Sequence, residues 1–209
     1  MHTEFTPKES AIVPIVAFAA KGDLSQLSVS LTQGLEAGLT INEIKEILVQ
    51  LYAYAGFPRS LNALGTFMTL LAERRAQGIE DPEGPSAGPL PTDKTSLELG
   101  TANQTKLIGQ PVKGPLFDFV PTIDQYLKAH LFGDIFARDV LSWKEREIAT
   151  IATLANMPGV NGQLQAHYGI SLNNGITAQQ LNHFIALLRQ ACGDAVADNA
   201  ATVLAAVLQ

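Results

Sequence analysis

One cysteine, Cys192, stands in 209 residues. That scarcity rules out a disulfide within the chain and any two-cysteine redox centre built from it. Charge is scarce too: 16% of residues are charged, 14 basic against 20 acidic, and the basic ones form no cluster. The net charge of −6 therefore offers no electrostatic footprint to a phosphate backbone and argues against nucleic acid as a partner. No apolar run approaches the ~18 residues that would cross a bilayer. Met1-His2-Thr3-Glu4 lacks the charged-then-apolar profile of a secretory signal, so a soluble cytoplasmic protein with no membrane partner is the expectation. The four histidines, His2, His130, His167 and His183, have no metal-ligand spacing with a Cys or Asp/Glu set, and no phosphate-binding glycine motif is present. Neither metal nor cofactor is implied. What the chain does have is a 46% apolar content, enough for a real core in one large or two small domains.

It also repeats itself. At an offset of 137 residues, the stretch from Glu9 to Asn62 matches the stretch from Arg146 to Asn199 without a gap. Identities include Gly22/Gly159, Gln26/Gln163, Leu27/Leu164, Leu35/Leu172, Gly38/Gly175, Thr40/Thr177, Gly56/Gly193 and Asn62/Asn199. Several fall where a helix must start or stop, which is where a shared fold constrains residue type most.

Apolar spacing predicts an all-α chain with helices over 7–21, 24–37, 41–55 and 59–77 in the first copy, and over 143–157, 161–174, 178–191 and 194–208 in the second. Thr40 to Glu43, Ser142 to Glu145 and Thr177 to Gln180 read as capping boxes. Gly22, Gly38, Gly159 and Gly175 supply the left-handed residue after a helix. Residues 78–95 are rich in Gly and Pro and read as a linker or an extended surface arm. A weaker helix is expected over 96–109, a break from Pro111 to Pro115, and another helix from Ile123 to Phe136. The expected division is a first repeat over 1–77, a linker or arm over 78–115 and a second repeat over 116–209. Two helical hairpins per copy are too thin to bury both faces alone, so the copies should pack about a pseudo-twofold axis.

The run Phe132-Gly133-Asp134-Ile135-Phe136-Ala137-Arg138 through Ile148, then Gln163-Leu164-Gln165-Ala166-His167 and Ser171-Leu172-Asn173-Asn174-Gly175-Ile176-Thr177, resembles the carboxymuconolactone decarboxylase family. The matching end of that motif lies in the first copy, from Gly38 to Glu46 and on through Tyr52-Ala53-Tyr54-Ala55-Gly56-Phe57-Pro58-Arg59-Ser60-Leu61-Asn62. Where the second copy has Glu147 and His167, the first has Ser10 and Ser30. Where the first has Tyr54 and Pro58, the second has Ala191 and Ala195. The copies have diverged in complementary directions, so one composite site per chain is expected where they meet.

Glu147 and His167 are the candidate catalytic residues. On successive antiparallel helices turning near Gly159 they differ in axial height by about 6 Å, which two long side chains can bridge. A carboxylate beside a histidine fixes its tautomer and gives a proton donor and acceptor near neutral pH. Against this stand a hydrogen-bonded core histidine and a solvated first-turn acid favoured by the helix dipole. Arg146 either pairs with Glu147 or points to solvent. Gln163, one turn before His167, could line the same pocket. Tyr52 and Tyr54 lie about 200° apart on one helix, so one should line a pocket while the other packs. Arg59 at a helix start, or else Arg138, is the candidate anchor for a substrate carboxylate, with a surface arginine as the plain alternative for Arg59. Asn173 and Asn174 read as turn residues and Cys192 as a small apolar group; His130 and His183 show no partner spacing.

The resemblance implies a cofactor-independent lyase or isomerase acting on a small carboxylated lactone or ring. A non-catalytic helical scaffold or small-ligand binder is the alternative. A sister branch of alkylhydroperoxidases implies thiol-dependent peroxide reduction, but its two cysteine positions are Val160 and Gln163 here. Relatives form rings, which implies a homo-oligomer, most simply a trimer equivalent to six single domains.

Overall fold

The computed structural model describes residues 3–209, and every regular element in them is helical. His2 lies outside the described residues. The first copy comprises α1 (Pro7–Lys21), α2 (Leu24–Glu36), α3 (Ile41–Ala55) and α4 (Phe57–Ala76). Between the copies lie α5 (Ser96–Ile108), α6 (Pro115–Phe119) and α7 (Pro121–Tyr126), which runs on into a π-helical stretch, Leu127–Ile135. The second copy comprises α8 (Trp143–Ala155), α9 (Asn161–Asn173), α10 (Ala178–Cys192) and α11 (Asp194–Val207).

The starts follow from local chemistry. Thr40, Ser142 and Thr177 each accept from the third helical amide while that residue's side chain returns to the cap, and Thr6 and Thr95 do the same for α1 and α5. Each such cap contributes about 1 kcal/mol. Gly22 and Gly159, at φ 76° and 80°, take the left-handed conformation that reverses the chain between the first two helices of each copy. α4 starts two residues before the expected 59, because Pro58 suits the first turn, where its missing N–H has no intrahelical acceptor.

The packing of one copy recurs in the other. α1 lies on α2 as α8 lies on α9, α3 on α4 as α10 on α11, and α2 on α4 as α9 on α11. α1 and α8 cross at the centre, burying Ile12, Ile15, Val16 and Ala19 against a row that includes Ile148, Ile151 and Ala152. Each fully buried Ile here contributes about 1.5–3 kcal/mol relative to exposure. Two pairings cross between copies in a matching way: α1 packs against α10, and α8 against α3. That exchange brings side chains from both copies to each seam.

The arm over residues 78–95 has no regular structure but is tied down. The amides of Ile41 and Asn42 donate to the Pro82 and Glu83 carbonyls at 3.0 and 2.9 Å, and Arg74 holds Asp81 through two 2.8 Å bonds. α5 then lies along the π-helical stretch at very short range. A Cβ on Gly100 would stand 1.7 Å from the Lys128 carbonyl oxygen, and one on Gly133 would stand 2.2 Å from that of Ser96. Asn173 and Asn174 do more than turn the chain, since their amides donate at 3.0 Å to the Ile108 and Leu107 carbonyls at the end of α5. α6 follows the expected break at Pro111–Pro115, in a stretch where no helix was expected, and the single helix expected over 123–136 changes its hydrogen-bond pattern midway.

Candidate active site

The Ser142 cap sets the start of α8 so that Glu147 falls in its second turn, and the Gly159 reversal runs α9 back beside it. His167 Nδ1 meets Glu147 Oε2 at 2.8 Å, with the carboxylate fully buried, so Glu147 is not a solvated first-turn acid. The second oxygen, Oε1, is sealed and has no hydrogen-bond partner among the described residues. An ionised Glu147 fixes the proton on Nδ1 and leaves Nε2 as the free nitrogen. Nε2 makes no hydrogen bond among the described residues, yet it is not one of the sealed unpartnered atoms. It is therefore the ring edge that reaches the surface, on a side chain that keeps 11% exposure.

Tyr54, in the last turn of α3, comes from the other copy. Its ring stands edge-on to His167, with centroids 5.8 Å apart and planes at 83°. Its hydroxyl is sealed close to Thr150 without a well-directed hydrogen bond. Burial and then the charge of Glu147 push this phenol far up, so it stays a neutral donor. Ser171, one turn past His167, buries a further unpartnered hydroxyl. Buried polar atoms without partners are rare in folded proteins and call for an explanation. Three of them gather around this one pair.

A second polar cluster braces the same seam. Arg146 neither pairs with Glu147 nor points to solvent. It is wholly buried and donates to Glu46 Oε1 at 2.8 Å, to Gln50 Oε1 at 3.0 Å and to the Arg138 carbonyl at 2.9 Å. Arg138, a candidate carboxylate anchor, instead clasps Glu46 with bonds of 2.7 and 3.1 Å, so its guanidinium is already occupied. Burial alone would raise the Glu46 carboxyl, but the hydrogen bonds from Arg138 and Arg146 outweigh it and hold the group below the usual carboxylate range. Gln50 completes the brace with bonds to the Arg146 carbonyl and to Thr150 Oγ1. Neither Glu46 nor Gln50 stood out in the sequence, although Gln50 replaces the apolar Leu187 of the other copy.

The other candidates are dispersed. Arg59 is exposed and its guanidinium lies against Gly22 at the end of α1, with no hydrogen bond among the described residues linking it to the pair. Gln163 is exposed one turn before His167. Tyr52 turns away from Tyr54, stacks on Phe57 with centroids 4.3 Å apart, and borders a depression of about 640 Å³ with Tyr126 and His130. Two histidines without a partner in the sequence reading find one: His130 pairs with Asp134 at 2.8 Å, and His183 Nδ1 accepts the Phe5 amide at 3.0 Å. Cys192 packs against the core, and burial pushes its thiol up, opposite to what a thiolate nucleophile needs.

Of five surface depressions of about 250 to 640 Å³, none is bordered by Glu147 or His167. Among the described residues, no set of three or more His, Cys, Asp and Glu side chains is placed to hold a metal ion, and no helix is long and apolar enough to cross a membrane. A comparison with curated proteins finds no match. The model of the carboxymuconolactone decarboxylase family matches residues 2–67 and 121–206, once on each copy.

Proposed function

Since the chain belongs to the carboxymuconolactone decarboxylase family, we propose that Glu147 and His167 transfer a proton on a small carboxylated lactone or ring, in a lyase or isomerase reaction that needs no cofactor. The observation that carries this reading is a fully buried carboxylate 2.8 Å from an imidazole whose Nε2 edge reaches the surface. Glu147 holds Nδ1–H, so Nε2 accepts a proton as the free base and returns one as the imidazolium. When carbon dioxide leaves such a substrate, the electron pair passes into a dienolate, and Nε2–H delivers the proton that restores carbon. Tyr54 acts as a positioning residue that fixes the tilt of the imidazole. Arg59, whose guanidinium has no ion pair among the described residues, is the anchor for the substrate carboxylate in this reading, with Gln163 beside the approach to His167. A cytoplasmic setting belongs to the same proposal.

The test uses carboxymuconolactone as the probe and carbon dioxide release as the readout. His167→Gln and Glu147→Gln should each lower kcat by about 10²- to 10⁴-fold with the far-UV spectrum unchanged. Equal rates in all three proteins would refute the assignment. A second reading, a non-catalytic helical scaffold or small-ligand binder, fits the observation that none of the five depressions is bordered by the pair; absence of lactone turnover by the parent protein would support it.

A homo-oligomer, most simply a trimer, is part of the proposal. Leu116, Phe119, Val120, Ile123 and Tyr126 are all exposed within one short stretch, an apolar patch of the kind that marks association surfaces. A monomer mass by light scattering would exclude it.

A further inference from the structure

The offset of 137 residues maps Glu147, His167 and Tyr54 onto Ser10, Ser30 and Ala191. All three border one depression of about 400 Å³ between α1, α2 and α10. This is the counterpart of the seam that holds the carboxylate–imidazole pair. Replacing Glu, His and Tyr with two serines and an alanine has left open volume where a core could have closed. Pro14, inside α1 and on the wall of the depression, has no N–H to give the Ser10 carbonyl, so an acceptor without its helical donor lies beside the serines.

The wall is uncharged and mixes polar groups with apolar surface. Ser30 is only 4% exposed, yet its hydroxyl, like that of Ser10 and the side-chain amides of Gln26, Gln33 and Gln190, makes no hydrogen bond among the described residues. Phe18, Val29 and Leu187 supply apolar surface between these groups, and no ionisable side chain borders the space. Its volume falls within the ~300–1,000 Å³ of small-molecule sites. A wall without charge cannot offset the desolvation of an ion, so it discriminates against charged ligands.

We propose that this vacated seam is a second, non-catalytic site that binds a small uncharged ring compound carrying a hydroxyl or carbonyl group, a phenol or a neutral lactone, with Ser30 and the glutamines as its hydrogen-bond partners. The assignment does not depend on proton transfer by Glu147 and His167.

Calorimetry and saturation-transfer NMR on the full chain test it with phenol, δ-valerolactone and benzoate. Phenol and the lactone bind saturably, and benzoate binds at least tenfold more weakly. The pair Ser30→His and Ala191→Tyr installs the residues that the other copy carries at these positions, fills the depression and lowers affinity at least tenfold. Ser30→Ala keeps the packing and lowers affinity about two- to tenfold, the effect of one hydrogen bond. It decides the matter if the double variant does not fold. His167→Asn leaves phenol binding unchanged. The proposal is overturned by benzoate binding as tightly as phenol, by a folded double variant or Ser30→Ala of unchanged affinity, by lost binding in His167→Asn, or by no saturable binding of either neutral ring.

Discussion

Glu46→Leu should destabilise this protein far more than an ordinary helix substitution, because it strands a charge in the seam between the copies. Arg146 is wholly buried, and Glu46 supplies its only carboxylate partner among the described residues. Removing one member of a buried ion pair costs about 3–5 kcal/mol, since the other charge is left desolvated and unpaired. For a chain of this size each kcal/mol lowers Tm by about 2–4 °C, so the expected fall is about 6–20 °C. Urea unfolding followed by far-UV circular dichroism gives the global value. Trp143, whose indole donates to the Phe136 carbonyl at 3.0 Å next to the brace, reports the local one. The double change Glu46→Leu with Arg146→Met removes both charges. It should recover stability to within about 1 kcal/mol of the parent, because Arg138 keeps a 42% exposed side chain and remains solvated. A loss below about 1 kcal/mol in Glu46→Leu, or a double variant no more stable than the single one, would refute this account. Tyr54 lies two turns beyond Glu46 on α3, about 12 Å along the axis, so a loosened seam should also move the tyrosine away from His167.

The same carboxylate predicts a pH dependence. Its folded pKa is depressed, so its contribution is present above the ordinary value of about 4.3 and is lost as pH falls through the folded value. Glu46→Gln should therefore show a shallower fall of Tm with acid than the parent below about pH 5; parallel profiles would contradict this. At the close approach of α5 to the π-helical stretch, Gly100→Ala places a methyl group 1.7 Å from the Lys128 carbonyl oxygen, so the two must separate. Overpacking of this kind costs about 1–3 kcal/mol, and an unchanged Tm would show that the helices yield freely.

Helix ends were legible because the residues that make them act locally. Thr40 and Ser142 cap through an amide three residues away, and Gly22 and Gly159 reverse the chain by their own φ angles. The Glu147–His167 contact was legible for a related reason, as one tight turn fixes the register of two antiparallel helices. The brace was not. Glu46 and Arg146 meet across a hundred residues, through a pairing of α3 with α8 that no local pattern encodes. Arg146 lies in the charged run Lys144-Glu145-Arg146-Glu147, whose composition suggests a solvated face while its helical position faces the core. Arg138 looked like a free anchor only because its partner, Glu46, belongs to the other copy. Apolar spacing also cannot distinguish an i→i+4 ladder from the wider π ladder at Leu127–Ile135.

The two seams have specialised in opposite physical directions. On one side Glu46, Gln50, Arg146 and Thr150 join through hydrogen bonds, directly under the Glu147–His167–Tyr54 cluster. On the other side the counterparts of Glu46, Gln50 and Arg146 are His183, Leu187 and Glu9, and no such network joins them among the described residues. Buried polar networks rigidify when their members are paired, and a carboxylate–imidazole pair must hold its geometry to within about 0.5 Å to be useful. The brace thus lies where rigidity would serve the proposed proton transfer. The seam without it has kept a cavity in place of a fixed constellation, so the duplication is best understood as the separation of a rigid site from an open one. Installing Ser10→Glu, Ser30→His and Ala191→Tyr should accordingly create a second imidazole that is more mobile than His167 by NMR relaxation, because its tilt would lack the support of an Arg146-like brace. Equal mobility of the two rings would show that the brace has no bearing on the pair.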